Sequence, residues 1–90
     1  MNEDERPTRE QLVMVDATVR ALDRRDEVLH VMEDSEDEDE ARRRVGQLLG
    51  VDELGSRVVL DMQLRSFTRS RRRIMASHAE ELRKRLAEGP

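Results

Sequence analysis

Cysteine is absent from the 90 residues, which excludes disulfides, zinc–thiolate sites and a cysteine nucleophile. Tryptophan and tyrosine are also absent, and phenylalanine occurs once, at Phe67. The core must therefore be assembled from Leu, Val, Met and Ala, and aromatic side chains for stacking on bases are lacking. No apolar run approaches the ~20 residues that cross a bilayer. The opening MNEDERPTRE is acidic and polar, the reverse of a secretory leader, so the expected compartment is the cytoplasm. No glycine-rich phosphate loop occurs. His30 and His78 are the only histidines, and neither stands at zinc-ligand spacing or in a serine–histidine–aspartate arrangement. The expectation is a non-enzyme with no cofactor, no metal, no membrane segment and no small-molecule substrate.

Charge is plentiful. Charged residues make up 42% of the chain against 36% hydrophobic, the balance expected of helices with narrow apolar seams. Ninety residues suit one small domain near the size where a single core stabilises only marginally, so burial gained by self-association, as a homodimer, is expected. The net charge of −4 divides unevenly: residues 1–53 carry −9 and residues 54–90 carry +5. A bipolar chain of this kind folds back on itself or pairs with a second copy.

Four helices are expected after a disordered leader over residues 1–7 that Pro7 closes. Thr8, with Gln11 three positions on, has the form of a capping box and opens a helix over about 8–32. Its seam is Leu12, Val15, Val19, Leu22 and Leu29, widened by Met14, Ala21 and Val28 and interrupted at Asp26. At 1.5 Å per residue such a helix is roughly 37 Å long, the length of a coiled-coil arm. A second helix, over 37–49, begins at Ser35 or Asp37 with an acidic first turn followed by Arg42–Arg44, and Gly50 ends it. A third, over 52–66, has Asp52 as N-cap and is apolar nearly all round, which places it centrally or at an interface. The last, over 70–87, has Ser70 as N-cap and a seam of Met75, Ala79, Leu82 and Leu86, and Gly89-Pro90 stops it. The outer helices should pair antiparallel as a coiled-coil stem, with the two short ones forming a compact tip: an all-α fold.

Two charged stretches invite functional readings. Glu33–Glu40 holds seven acids in eight residues but lacks the ligand spacing of a calcium loop, so it reads as a solvated helix start. Arg65, Arg69, Arg71, Arg72 and Arg73 are candidate contacts for DNA phosphates or an acidic partner. The negative net charge and the lack of aromatics weigh against DNA. Three Arg at the start of a helix oppose its dipole, which makes any acidic partner attractive. Asp61 has no companion acid or base to make it catalytic and reads as the polar side of a packing helix.

The run VVLDMQLRSFT, Val58–Thr68, resembles the Ile-Leu-Asp-Met-Arg-Leu-x-x-Leu-Thr run in the A subunit of bacterial DNA gyrase and topoisomerase IV. The likeness extends in order along about 80 residues. Ala21-Leu22-Asp23 with Asp26–Leu29 is similar to the end of the descending tower helix. Ser35 to Ala41-Arg42 and Leu48–Gly50 are similar to the short acidic-start helix, and Met75 with Glu80–Leu82 to the returning helix. The resemblance implies an exit-gate segment, a helical knob on an antiparallel coiled coil where two A subunits meet and release transported DNA without cutting it. It further implies a dimer interface of Leu54, Val58, Leu60, Asp61, Leu64 and Phe67, and it makes gyrase A a potential partner. Two departures stand out. Thr68-Arg69-Ser70 replaces the family's Thr-Gly-Leu, and Arg71-Arg72-Arg73 replaces acids at the start of the returning helix. With no Tyr, this chain cannot form the phosphotyrosyl intermediate of the family's breakage–reunion domain.

Overall fold

The computed structural model describes residues 5–89, and all regular structure among them is helical. Five α-helices follow in order: α1 Arg6–Asp23, α2 Arg25–Asp34, α3 Glu38–Leu49, α4 Glu53–Leu60 and α5 Arg69–Glu88. A 3₁₀ turn, Leu64–Phe67, joins the last two. The molecule is elongated, 44 × 28 × 17 Å.

α1 begins at Arg6, with Pro7 in its first turn, where a missing N–H costs nothing. The start expected at Thr8 is thus two residues late. Arg6 and Pro7 of the expected leader are helical, and residues 1–4 of it lie outside the described residues. The single long helix expected over 8–32 is instead two. Arg24 leaves the helical region at φ −128°, ψ 39°, and its N–H turns to the Ala21 carbonyl. No proline or glycine causes this break. Side chains across the fold hold it: Arg24 Nη1 donates to the Leu48 carbonyl at 2.6 Å, and Arg20 Nη1 to the Leu49 carbonyl at 2.9 Å. Those carbonyls end α3 and have no partner within their own helix, so the two guanidinium groups satisfy them while docking α1 on α3. Inward-facing residues continue past the break at the same spacing, seven residues after buried Ala21. Val28 turns inward at 3% exposure, and Leu29, expected in the seam, faces out at 40%.

α3 starts as its sequence dictates. The Asp37 carboxylate accepts from the Glu40 N–H at 2.9 Å, and Glu40 reaches back to the Glu36 N–H at 3.0 Å, a near relative of the capping box. Ala41, Val45 and Leu49 are its buried stripe, and Gly50 ends it at φ +66°, a conformation that glycine adopts without strain. Asp52 caps α4 by accepting from the Gly55 N–H at 2.9 Å. A Cβ at Gly55 would lie 2.9 Å from Val51 Cβ and 3.1 Å from Ala17 Cβ, so glycine here lets α4 lie directly on α1.

α4 stops at Leu60, six residues before the expected end. α5 is capped by Thr68, whose hydroxyl accepts from the Arg71 N–H at 3.1 Å, and not by Ser70, which lies in the first turn. Gly89 follows the helix at φ +73°, while Pro90 lies outside the described residues.

Two apolar clusters result. The larger joins α1 to α4: Ala17, Ala21, Val28, Val45, Leu49 and Val59 are buried, with Val31, Met32, Leu48, Leu60 and Met62 against them. The smaller joins α1 to α5 through Val15, Ala79 and Leu82, flanked by Leu12 and Met75. Gln11 bonds His78 and Asp23 pairs with Arg72, so α1 and α5 run antiparallel. Leu22 is buried, and Val19 and Leu86 are half-buried. No helix among the described residues is long and apolar enough to cross a membrane.

Candidate interaction surface at the tip

The most apolar stretch of the sequence does not form one helix. Beyond Leu60 the Asp61 N–H bonds the Arg57 carbonyl and the Met62 N–H bonds the Val59 carbonyl, closing α4. Gln63 is extended, and its carbonyl accepts from the Ser66 N–H at 2.8 Å to form the 3₁₀ turn. The turn is tied to α2, and the head of α5 that follows it is tied to α1. Arg25 Nη1 donates to the Phe67 carbonyl, and Arg72 Nε donates to the Asp23 carboxylate. The hydrogen bond to Asp23 holds the Arg72 guanidinium pKa above its ordinary value.

This placement divides the six residues expected at an interface. Leu54, Val58, Leu60 and Asp61 belong to α4 or its end, and Leu64 and Phe67 to the 3₁₀ turn. Leu60 packs inward against the larger cluster, and Phe67 is half-buried. Leu54 is exposed on the first turn of α4, while Leu64 stands 76% exposed. Asp61 is therefore the exposed C-terminal cap of a short helix, not a polar group in mid-helix. An open groove of about 550 Å³ is lined by Val58, Asp61, Met62, Gln63, Arg65, Ser66 and Arg71, its wall not including Leu64. A smaller hollow on the other side of Asp61 is lined by Glu38, Arg42, Arg57 and Leu60 as well.

The arginines also separate. Arg65 and Arg71 face the groove, Arg72 is committed to Asp23, and Arg69 and Arg73 are exposed. Among the described residues Arg65, Arg69, Arg71 and Arg73 have no carboxylate partner. The acidic run is partly tied down: Arg44 pairs with Asp34 at 2.9 Å and Glu40 at 3.6 Å, and Arg42 with Asp39 at 2.9 Å.

Met62 and Gln63 line the groove beside the residues expected at the interface. A signal for them exists in the sequence: Asp61 and Gln63 are two apart, a spacing that no helix with one wet face accommodates easily. Arg25, which fixes the turn through a backbone carbonyl 42 positions away, has no local signal.

No protein-family model matches the chain. Over 70 residues, 78% of its length, the chain is 37% identical to the A subunit of DNA gyrase from a Nocardioides species. The match spans 8% of that gyrase protein. The chain is thus related in sequence to a small segment of gyrase A.

Proposed function

We propose that this chain is a non-catalytic helical interaction module of the exit-gate type, which dimerises through its tip and is able to engage gyrase A. The single observation that carries this reading is Leu64. A leucine held 76% exposed on a turn that Arg25 of α2 ties down at the Phe67 carbonyl offers a preformed apolar contact, not a side chain left behind by a loose loop. The 37% identity to a gyrase A segment supports the same assignment. Burying one such leucine is worth about 1.5–3 kcal/mol, so a stable dimer needs other anchors as well.

Multi-angle light scattering on the purified chain tests the proposal directly. A dimer at micromolar concentration that Leu64→Glu converts to monomer is expected, because a buried unpaired carboxylate costs about 3–5 kcal/mol. Capture of purified gyrase A by the tagged chain, lost in the same variant, would extend the reading to mixed gates. A parent chain that stays monomeric up to ~100 μM and captures no gyrase A would end it.

A second reading rests on the four arginines without carboxylate partners: a small protein that binds duplex DNA through Arg65–Arg73. It predicts retention that falls steeply with salt and is weakened by Arg71→Glu and Arg73→Glu.

A further inference from the structure

The tip carries charges of both signs in places that neither helix favours. Asp61 sits at the C-terminal end of α4, where a negative charge opposes the helix dipole, and no cation pairs with it among the described residues. Arg71 sits in the first turn of α5, where a positive charge opposes that dipole. Arg65 and Arg71 line the same groove as Asp61, yet none of these groups forms an ion pair there. On the far side of Asp61, Glu38 lines the neighbouring hollow, and it too has no ion-pair partner among the described residues. Arg42 and Arg57 also line that hollow but pair with Asp39 and Glu53, so the charges left without partners are acidic on one edge, Glu38 with Asp61, and basic on the other, Arg65 with Arg71. Leu64 stands exposed on the turn that joins α4 to α5.

We infer that the basic edge of one copy docks on the acidic edge of a second copy across a two-fold axis near Leu64. The inference rests on the dimer proposed above and specifies how its register is set. In a two-fold contact every pairing occurs twice, residue i on j and j on i, so a surface with one acidic and one basic edge is complementary to itself. Asp61 and Arg71 then gain partners at positions where the helix dipoles leave their charges unfavourable. DNA fits this surface less well, since Glu38 and Asp61 would meet the phosphates together with the arginines.

Sedimentation equilibrium on three proteins tests the register: the parent, Arg65→Glu/Arg71→Glu, and Glu38→Lys/Asp61→Lys. These side chains are exposed, and circular dichroism checks that each variant is helical. The parent dimer should weaken about tenfold or more between 0.05 and 0.5 M salt. Each double variant alone should be monomeric, since its two edges carry the same sign. An equimolar mixture of the two should restore a dimer, because each edge then meets its opposite. If both double variants dimerise like the parent while Leu64→Glu remains monomeric, the charge register is wrong and the dimer stands. If the parent itself is monomeric at every salt concentration, both fail together. Retention of duplex DNA by the parent, abolished in Arg65→Glu/Arg71→Glu with the dimer unchanged, would assign the basic edge to nucleic acid and overturn the inference.

Discussion

The stem and the tip of this molecule are stabilised in different ways. In the stem, α1 and α5 meet through Val15, Ala79 and Leu82, with polar contacts such as Asp16–Arg83 and Gln11–His78 along the sides. In the tip, four helices contribute to one cluster, each of α3 and α4 has an aspartate N-cap, and the carbonyls ending α3 are bonded by Arg20 and Arg24. Solvent-exposed ion pairs add little to stability, so the stem depends on a short apolar seam, whereas the tip has a packed centre. The stem should therefore open by local fluctuation, while the tip opens only on global unfolding.

Matched core deletions would test that difference most severely. Leu49→Ala in the tip and Leu82→Ala in the stem each remove a buried leucine and should each cost about 2–5 kcal/mol. Their signatures in amide exchange should differ. Leu49→Ala lowers protection throughout the chain, while Leu82→Ala exposes the ends of α1 and α5 and leaves α3 and α4 protected. Equal loss everywhere in both variants would show one cooperative unit and remove the distinction. Gly55→Ala comes next. Its Cβ would meet Val51 Cβ at 2.9 Å and Ala17 Cβ at 3.1 Å, so α4 must shift off α1. A destabilisation of about 1–3 kcal/mol in chemical denaturation is expected, with the effect confined to the tip. A neutral substitution would mean that the tip is looser than its packing implies.

What the sequence disclosed follows the same division. Features written locally were legible: Asp37 and Asp52 as caps, Gly50 as a left-handed stop, and the seam of Leu12, Val15, Met75 and Leu82. Features set by distant partners were not. The break at Arg24 has neither proline nor glycine, and its cause is a pair of guanidinium groups bonding carbonyls at Leu48 and Leu49. Leu22 and Leu29 keep heptad spacing straight across that break, so the periodicity runs on where the helix does not. The early end of α4 misled in the same way, since VVLDMQL is apolar enough to continue while the Phe67 carbonyl is held by Arg25 from another helix. The candidate interface was legible in composition but not in geometry. Its residues are close in sequence, yet Leu60 points into the core and Leu64 away from it.

The caps give a smaller test of the same contrast. Asp52→Ala removes the cap of α4 at the centre of the tip, and Thr68→Ala removes that of α5 at the head of the stem. Each should cost about 0.5–2 kcal/mol. The change at Asp52 should reduce exchange protection across the tip, because α4 packs on both α1 and α3. The change at Thr68 should only fray the first turn of α5, where three arginines already oppose the dipole.

The smallest effect belongs to the junction of α1 and α2 within the tip. Glu27 accepts from Arg24 Nε at 3.0 Å and Nη2 at 2.6 Å, and this hydrogen bonding holds its carboxyl below the ordinary carboxylate range. Both side chains are exposed, so solvent screens much of the attraction. A carboxyl whose pKa is depressed in the folded chain adds stability that is complete above its unfolded value and is lost as the pH falls through the folded one. Glu27→Gln should therefore lower the Tm slightly near pH 7, and the difference from the parent should shrink toward zero as the pH is taken below the carboxylate range. The same Arg24 also bonds the Leu48 carbonyl, so releasing it from Glu27 should loosen α2 before it loosens either cluster. A variant that melts with the parent at pH 7 and at pH 3 alike would show that the Leu48 contact alone holds the junction of α1 and α2 against α3, through a backbone carbonyl rather than surface charge.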